Sequence, residues 1–187
     1  MKTLSVGESR PKKSRLLAKL IMMVEGTDHS HSFISWKDED LGIRKVAEAR
    51  GAGARVVTNH TFKHENHVVR IYHYKIGPEK LKELEAWVWN HLAKPYGVKH
   101  LVGLLVMRLK NSFFRLIGSE KRAKNAQKDG DFSMICVELS AKAVELATGV
   151  DLPGEVEDYG LIEMHEINEE IGLPVLQEKI DRINGKS

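Results

Sequence analysis

HVVRIYHYKI, residues 67–76, is the stretch on which the fold turns. Val68, Val69, Ile71, Tyr72, Tyr74 and Ile76 give it dense β-branched and aromatic content, which predicts a strand. The same content recurs upstream. ARVVTNHTF (54–62) and IRKVAEA (43–49) read as strands, and SHSFISW (30–36) sets Phe33 on one face with Ile34 and Trp36 offset by one. KDEDLG (37–42) is turn chemistry, so 30–36 and 43–49 are expected to pair antiparallel in a sheet of four or more strands. Before the sheet, SRLLAKLIMMV (14–24) has helical spacing with Ser14 as N-cap. After it, Gly77-Pro78 opens a helix whose buried stripe is Leu81, Leu84, Val88 and Leu92, and Lys94-Pro95 stops it. A further helix is expected over 134–148, with Ile135, Leu139, Ala143 and Leu146 inward and Gly149 as C-terminal cap. The class is α+β, an antiparallel sheet packed against helices.

The 187 residues are 42% hydrophobic and 29% charged with five prolines, which predicts one globular domain over 1–187 and excludes disorder, collagen and low complexity. A chain of this size buries roughly 70% of its unfolded surface and needs no disulfide or structural metal. The single cysteine, Cys136, has no intramolecular partner and fits a reducing compartment. LVGLLVM (101–107) is followed at once by Arg108 and Lys110, so no membrane span is expected. The nearest approach to a signal peptide, PKKSR before LLAKLIMMV, is interrupted by Lys19 and lacks a small-residue cleavage site; a cytoplasmic protein is expected.

The net charge of +3 conceals a polarity. Residues 99–128 carry eight Lys/Arg against one acid, and 129–187 carry four against fourteen. The first segment reads as a basic insert, offering either a solvated face or contact with an anionic partner. Its middle, 99–118, alternates as a helix does, and SEKRAKNAQKDGD (119–131) reads as an exposed loop. Residues 151–187 read as an acidic C-terminal extension punctuated by Pro153, Gly160 and Pro174, ending in a short helix near 175–184.

Cys136 falls at the start of a predicted helix, where backbone N–H groups and the helix dipole favour a thiolate and supply oxyanion donors. The same placement also suits a small buried hydrophobe. A nucleophilic cysteine needs an imidazole, and nine histidines are available. His31 opens a strand, a rigid position from which an imidazole can face a helix terminus. Glu48, between Ala47 and Ala49 on the neighbouring strand, is placed to orient it. On these residues alone, a core-facing histidine and an edge glutamate fit equally well. His29 and His31 mimic a metal-binding H-x-H, but no cysteine or carboxylate cluster accompanies them, and neither metal nor cofactor is implied. His60, His64 and His67 lie in a segment that reads as strand, loop, strand, and are expected to be exposed loop histidines. Trp87 and Trp89 need no role beyond packing.

The order of segments resembles the circularly permuted papain-fold cysteine hydrolases of the NlpC superfamily, the YiiX/YaeF-like group. LLAKLIMMVEGTDHSHSFIS matches the helix, Thr/Ser segment and Ser-His before a strand. KVAEARGAG matches the strand ending in Glu and Ala before Gly, HLAKPYGV the helix leading to Pro-Tyr, and ICVELSAKAVEL the cysteine-led helix. The likeness spans roughly residues 4–150. It implies Cys136 as nucleophile, His31 as base, Glu48 as the residue orienting the imidazole and Tyr96 as an oxyanion contact. The chemistry it implies is acyl transfer on an amide or ester through a thioacyl-enzyme, with a peptide, peptidoglycan fragment or acyl-lipid as substrate. Val137 stands where the group has serine and Gly97 where it has aspartate. The basic segment 99–128 would lie near the site. Without an export signal, a phage or host cytoplasmic protein fits better than a free periplasmic wall enzyme.

Two rivals follow from the residues. One is a virion-associated or other binding protein that has kept the fold, lost turnover and engages an anionic partner through 99–128, with salt-sensitive binding. The other is a nucleic-acid-binding domain; the even net charge, the acidic C-terminal third and the lack of a nucleic-acid motif argue against it.

Overall fold

The computed structural model describes residues 1–13, 16–50, 53–92, 135–152 and 161–185. Among these are six strands and six helices: β1 (Lys2–Pro11), α1 (Leu16–Glu25), β2 (His31–Asp38), β3 (Ile43–Arg50), β4 (Gly53–Thr58), α2 (Asn59–Glu65), β5 (Asn66–Ile76), α3 (Pro78–His91), α4 (Ile135–Thr148), α5 (Leu161–Ile171), β6 (Leu173–Pro174) and α6 (Gln177–Ile183). The strands form one antiparallel sheet in the order β4-β3-β2-β1-β5-β6. The α+β class expected from the sequence is what the structure has.

Residue alternation gives the sheet two different faces. Leu4 lies between Trp36 and Tyr74, and Val6 between Ile34 and Tyr72. These side chains, with Ala47, form the main core with Leu81, Leu84 and Val88 of α3, Val137, Leu139 and Val144 of α4, and Leu161 and Met164 of α5. The opposite face is smaller: Phe33, Val46 and Val68 meet Phe62 of α2 and Ile180 of α6. The Phe33 and Phe62 rings sit 4.4 Å apart.

The paired strands β2 and β3, strand β5, the proline-initiated α3 and the cysteine-bearing α4 occupy the segments where they are expected. Gly149 closes α4 with a positive φ of 72°, its N–H donating to the Glu145 carbonyl. Trp87 packs against the core while Trp89 is exposed.

Three expectations are corrected. The strand predicted over 54–62 ends at Thr58, whose hydroxyl accepts from the Thr61 N–H at 3.2 Å and so caps α2. His60 and His64 are therefore exposed helix residues, not loop residues, and His67 is a half-buried residue of β5. The acidic extension is more than a tail that wraps and ends in one helix. It contributes α5 to the core, adds β6 to the edge of the sheet, and sends α6 to the far face. The region 99–128, Tyr96 and the loop expected over 119–131 lie outside the described residues.

The central strand β1 was not anticipated. KTLSVGESRP has only two strong strand formers, yet its Ser5, Gly7 and Ser9 give room for the large residues of its neighbours. Gly7 is paired with Phe33, and a Cβ there would fall 2.3 Å from the ring's Cζ. Phe33 covers the glycine, as aromatic residues do across a sheet. Gly7→Ala is expected to destabilise the protein by about 1–3 kcal/mol. Urea unfolding checks this: the midpoint should fall with the slope unchanged.

Candidate active site

His31 is the first residue of β2, and Glu48 on β3 stands opposite Phe33. The histidine and the glutamate are thus a diagonal pair on adjacent strands, near enough for long side chains to meet. The His31 Nε2–H donates to Glu48 Oε2 at 2.9 Å. The Glu48 carboxylate is completely buried. Its other oxygen accepts from Arg55 Nε at 2.8 Å and Nη2 at 2.5 Å, Arg55 being its register partner on β4. Arg55 also pairs with Glu65 at the end of α2. Burial works against the guanidinium charge, but the hydrogen bonds to Glu65 and Glu48 outweigh it and hold Arg55 firmly protonated.

Cys136 is the second residue of α4 and is buried. Its thiol is a close electrostatic neighbour of the His31 ring. With Nε2 on the glutamate, the nitrogen left for the thiol is Nδ1. Burial alone would strip the imidazole of its proton. The interactions with Cys136 and with the Glu48 carboxylate reverse that and push His31 up to about 9 from an ordinary 6.5. One turn along α4, the buried Ser140 hydroxyl bonds that of Ser32 at 2.5 Å, fastening the helix to the residue after His31. The thiol sits in the first turn of α4, at the positive end of the helix dipole.

Of the four residues expected at the site, the structure brings together Cys136, His31 and Glu48, with His31 hydrogen-bonded to Glu48; Tyr96 lies outside the described residues. Arg55 was missed. Its signal was a lone arginine in ARVVT, a segment otherwise composed of strand formers. A recess lined by Arg55, Trp87 and His91 adjoins Glu48, on the side of the orienting residue.

His29, two residues before His31, turns to a different carboxylate. Its Nδ1 lies 3.2 Å from Asp28 Oδ1 and 3.5 Å from Glu8 Oε2. Glu8 is also buried, and it takes Arg70 at 3.0 Å and His165 of α5 at 2.9 Å. Arg70 grips both oxygens of Asp28, at 2.7 and 3.1 Å. Partial burial would raise the Asp28 carboxyl, but the hydrogen bonds from Arg70 and His29 bring it down to about 2. The H-x-H pair is therefore not a chelate. Among the described residues, no group of three or more His, Cys, Asp or Glu is arranged to hold a metal ion, and no helix is long and apolar enough to cross a membrane.

Searches against family models, curated proteins and solved structures gave no match to this chain.

The raised His31 carries a pH signature. A folded-state value of about 9 against 6.5 means that stability from the pair is complete below pH 6.5 and is lost as pH rises through about 9. Thermal unfolding of the wild type should lose this increment across that window, and His31→Ala should not. Imidazole NMR should place the His31 midpoint near 9. In Glu48→Gln the midpoint should move down toward 6.5, because the neutral amide keeps a hydrogen bond but not the charge.

Proposed function

We propose that the protein is a cysteine-dependent hydrolase or acyltransferase of the permuted papain type, acting on an amide or ester carbonyl. The observation that carries the proposal is the placement of His31 between a thiol at a helix N-terminus and a fully buried carboxylate. A buried cysteine is usually a packing residue. A packing residue has no use for a histidine whose second nitrogen is held by a buried glutamate, itself fixed by an arginine. That three-part arrangement is the one a thiol nucleophile, its proton carrier and an orienting group require. Further support comes from chain order: His31, Glu48, then Cys136 is the order of the permuted group whose motifs the sequence resembles.

The steps follow from these groups. The Cys136 Sγ lone pair attacks the carbonyl carbon, and the π electrons move to the oxygen. Backbone N–H groups at the start of α4 favour the resulting negative charge. His31 gives its proton to the leaving nitrogen or oxygen as the bond from the carbonyl carbon breaks, leaving a thioacyl-enzyme. Water, or an acceptor hydroxyl or amine, then loses a proton to His31 while attacking the thioester. The C–S bond breaks and the thiolate returns beside the imidazolium. Glu48 holds the ring in the tautomer that keeps Nδ1 for the sulfur, and it offsets the charge that His31 gains. Arg55 keeps Glu48 ionised and in place.

Alkylation of the sole cysteine by iodoacetamide at neutral pH tests the proposal without a known substrate. The wild type should react readily in the folded state, and His31→Ala should react about tenfold or more slowly, with Glu48→Gln between them. Circular dichroism should show all three folded. A thiol inert until denatured, or one indifferent to His31, would sink the proposal. It would favour a fold kept for binding alone.

A further inference from the structure

Helix α1 carries its apolar residues on the wrong side for a core helix. Ala18, Ile21 and Glu25 face the protein, whereas Leu16 is 77% and Met23 68% exposed, with Leu17 and Leu20 also exposed. At 100° per residue, Leu16, Leu20 and Met23 fall within a sector of about 60°. Leu17 flanks them on one side and the exposed Lys19 on the other. Single exposed leucines are ordinary; four apolar side chains on the water-facing side of a ten-residue helix form a patch.

The charge around the patch has one sign. Residues 9–24 contain Arg10, Lys12, Lys13, Arg15 and Lys19 and no acid. Arg10, Lys12, Lys13 and Lys19 are exposed. An apolar stripe beside a run of cations, with the helix's one acid, Glu25, buried, matches a surface that is apolar beneath and anionic above, which is the boundary between acyl chains and phosphate headgroups. We infer that α1 is a peripheral docking helix for bilayers rich in anionic lipid. Leu16, Leu20 and Met23 enter the acyl boundary, and Lys12, Lys13 and Lys19 meet the phosphates. The helix is about 15 Å long, short of a span but suited to lying in the interface. Gly26–Ser30 alone separate it from His31, so docking brings the first residue of β2 close to the lipid surface. The inference does not depend on the thiol chemistry, and Cys136→Ala should dock as the wild type does.

Flotation of the full chain with phosphatidylcholine vesicles, and with vesicles of equal parts phosphatidylcholine and phosphatidylglycerol, tests it. The protein should float with the anionic vesicles and, at equal lipid, about tenfold less with the neutral ones, and added salt should release it. The variant Leu16→Ser/Leu20→Ser/Met23→Ser should lose flotation in both. Lys12→Gln/Lys13→Gln/Lys19→Gln should lose the preference for anionic lipid. Leu16, Met23 and the three lysines are exposed and Leu20 is 36% exposed, so both variants should stay folded, which a thermal scan checks. Equal flotation of the serine variant and the wild type would overturn the inference, as would failure of the wild type to float. Sedimentation showing wild-type self-association that the serine variant lacks, without vesicle binding, would assign the face to a second copy of the chain and overturn it too.

Discussion

A carboxylate with no access to water, Glu48, is the constraint from which the arrangement of this molecule follows. An ionised carboxylate inside a protein is tolerated only where hydrogen bonds and opposite charge replace the lost solvent. Here one oxygen is met by Arg55 and the other by His31. Removal of one partner from such a buried group costs about 3–5 kcal/mol, because the other is left uncompensated. Strands β2, β3 and β4 are consequently tied to each other through side chains as well as through their ladders. The register that pairs Glu48 with Arg55 also sets it diagonal to His31, so the carboxylate is neutralised on both sides.

The second buried carboxylate does the same work elsewhere in the sheet. Glu8 lies on the central strand β1, just before the bulge that shifts its register with β5. It gathers Arg70 from β5, His165 from α5 and His29 from the segment leading into β2. A helix far along the sequence is thereby fixed to the strand nearest the N-terminus. The same cluster fixes the approach to His31, since His29 is buried in it two residues earlier. Thr27 adds a local restraint, its hydroxyl donating to the His29 carbonyl at 2.6 Å. His31 is thus held from both sides: its own ring by Glu48, and the chain that enters it by Glu8 and Asp28.

What could be read from the sequence depended on whether an element announces itself locally. Strands β2 and β5 have alternating β-branched and aromatic residues, β3 follows the turn residues KDEDLG, α3 has a proline at its first position, and α4 ends on a glycine that needs a positive φ. Each of these signals needs no distant partner. Strand β1 does not announce itself, because its serines and Gly7 are the complements of Phe33 and of other bulky neighbours. Small residues are chosen by what they pack against, which a single segment does not display. Helix α2 was hidden by Val56 and Val57 just before it, with Thr58 doubling as the last residue of a strand and the cap of a helix. In the site, residue type alone left Cys136, His31 and Glu48 open to a packing reading, and the order of segments, through the family resemblance, singled them out. Arg55 was not legible, because an arginine in a strand looks like a solvent-facing residue until its carboxylate is known.

Helix α1 shows the same limit from the other direction. Its periodicity marks a helix with an apolar stripe, and the structure has that helix, but periodicity alone does not say which stripe is inward. The inward side is the one on which Ala18 and Ile21 are buried. Ala18 and Ile21 present a modest face to the protein, and the main core is already filled by α3, α4 and α5. Leu16 and Met23 are left largely in water, and Leu17 and Leu20 partly so, where the exposed apolar surface carries a cost of hydration. Packing among the described residues does not account for leucines at 16 and 20 and a methionine at 23 in a run, 9–24, that holds five cations and no acid. The reason has to lie in what the face meets after folding. Apolar residues hold the helix to the acyl boundary and cations give it a preference among lipids, so neither feature is redundant with the other. The two together account for a pattern that core packing leaves unexplained.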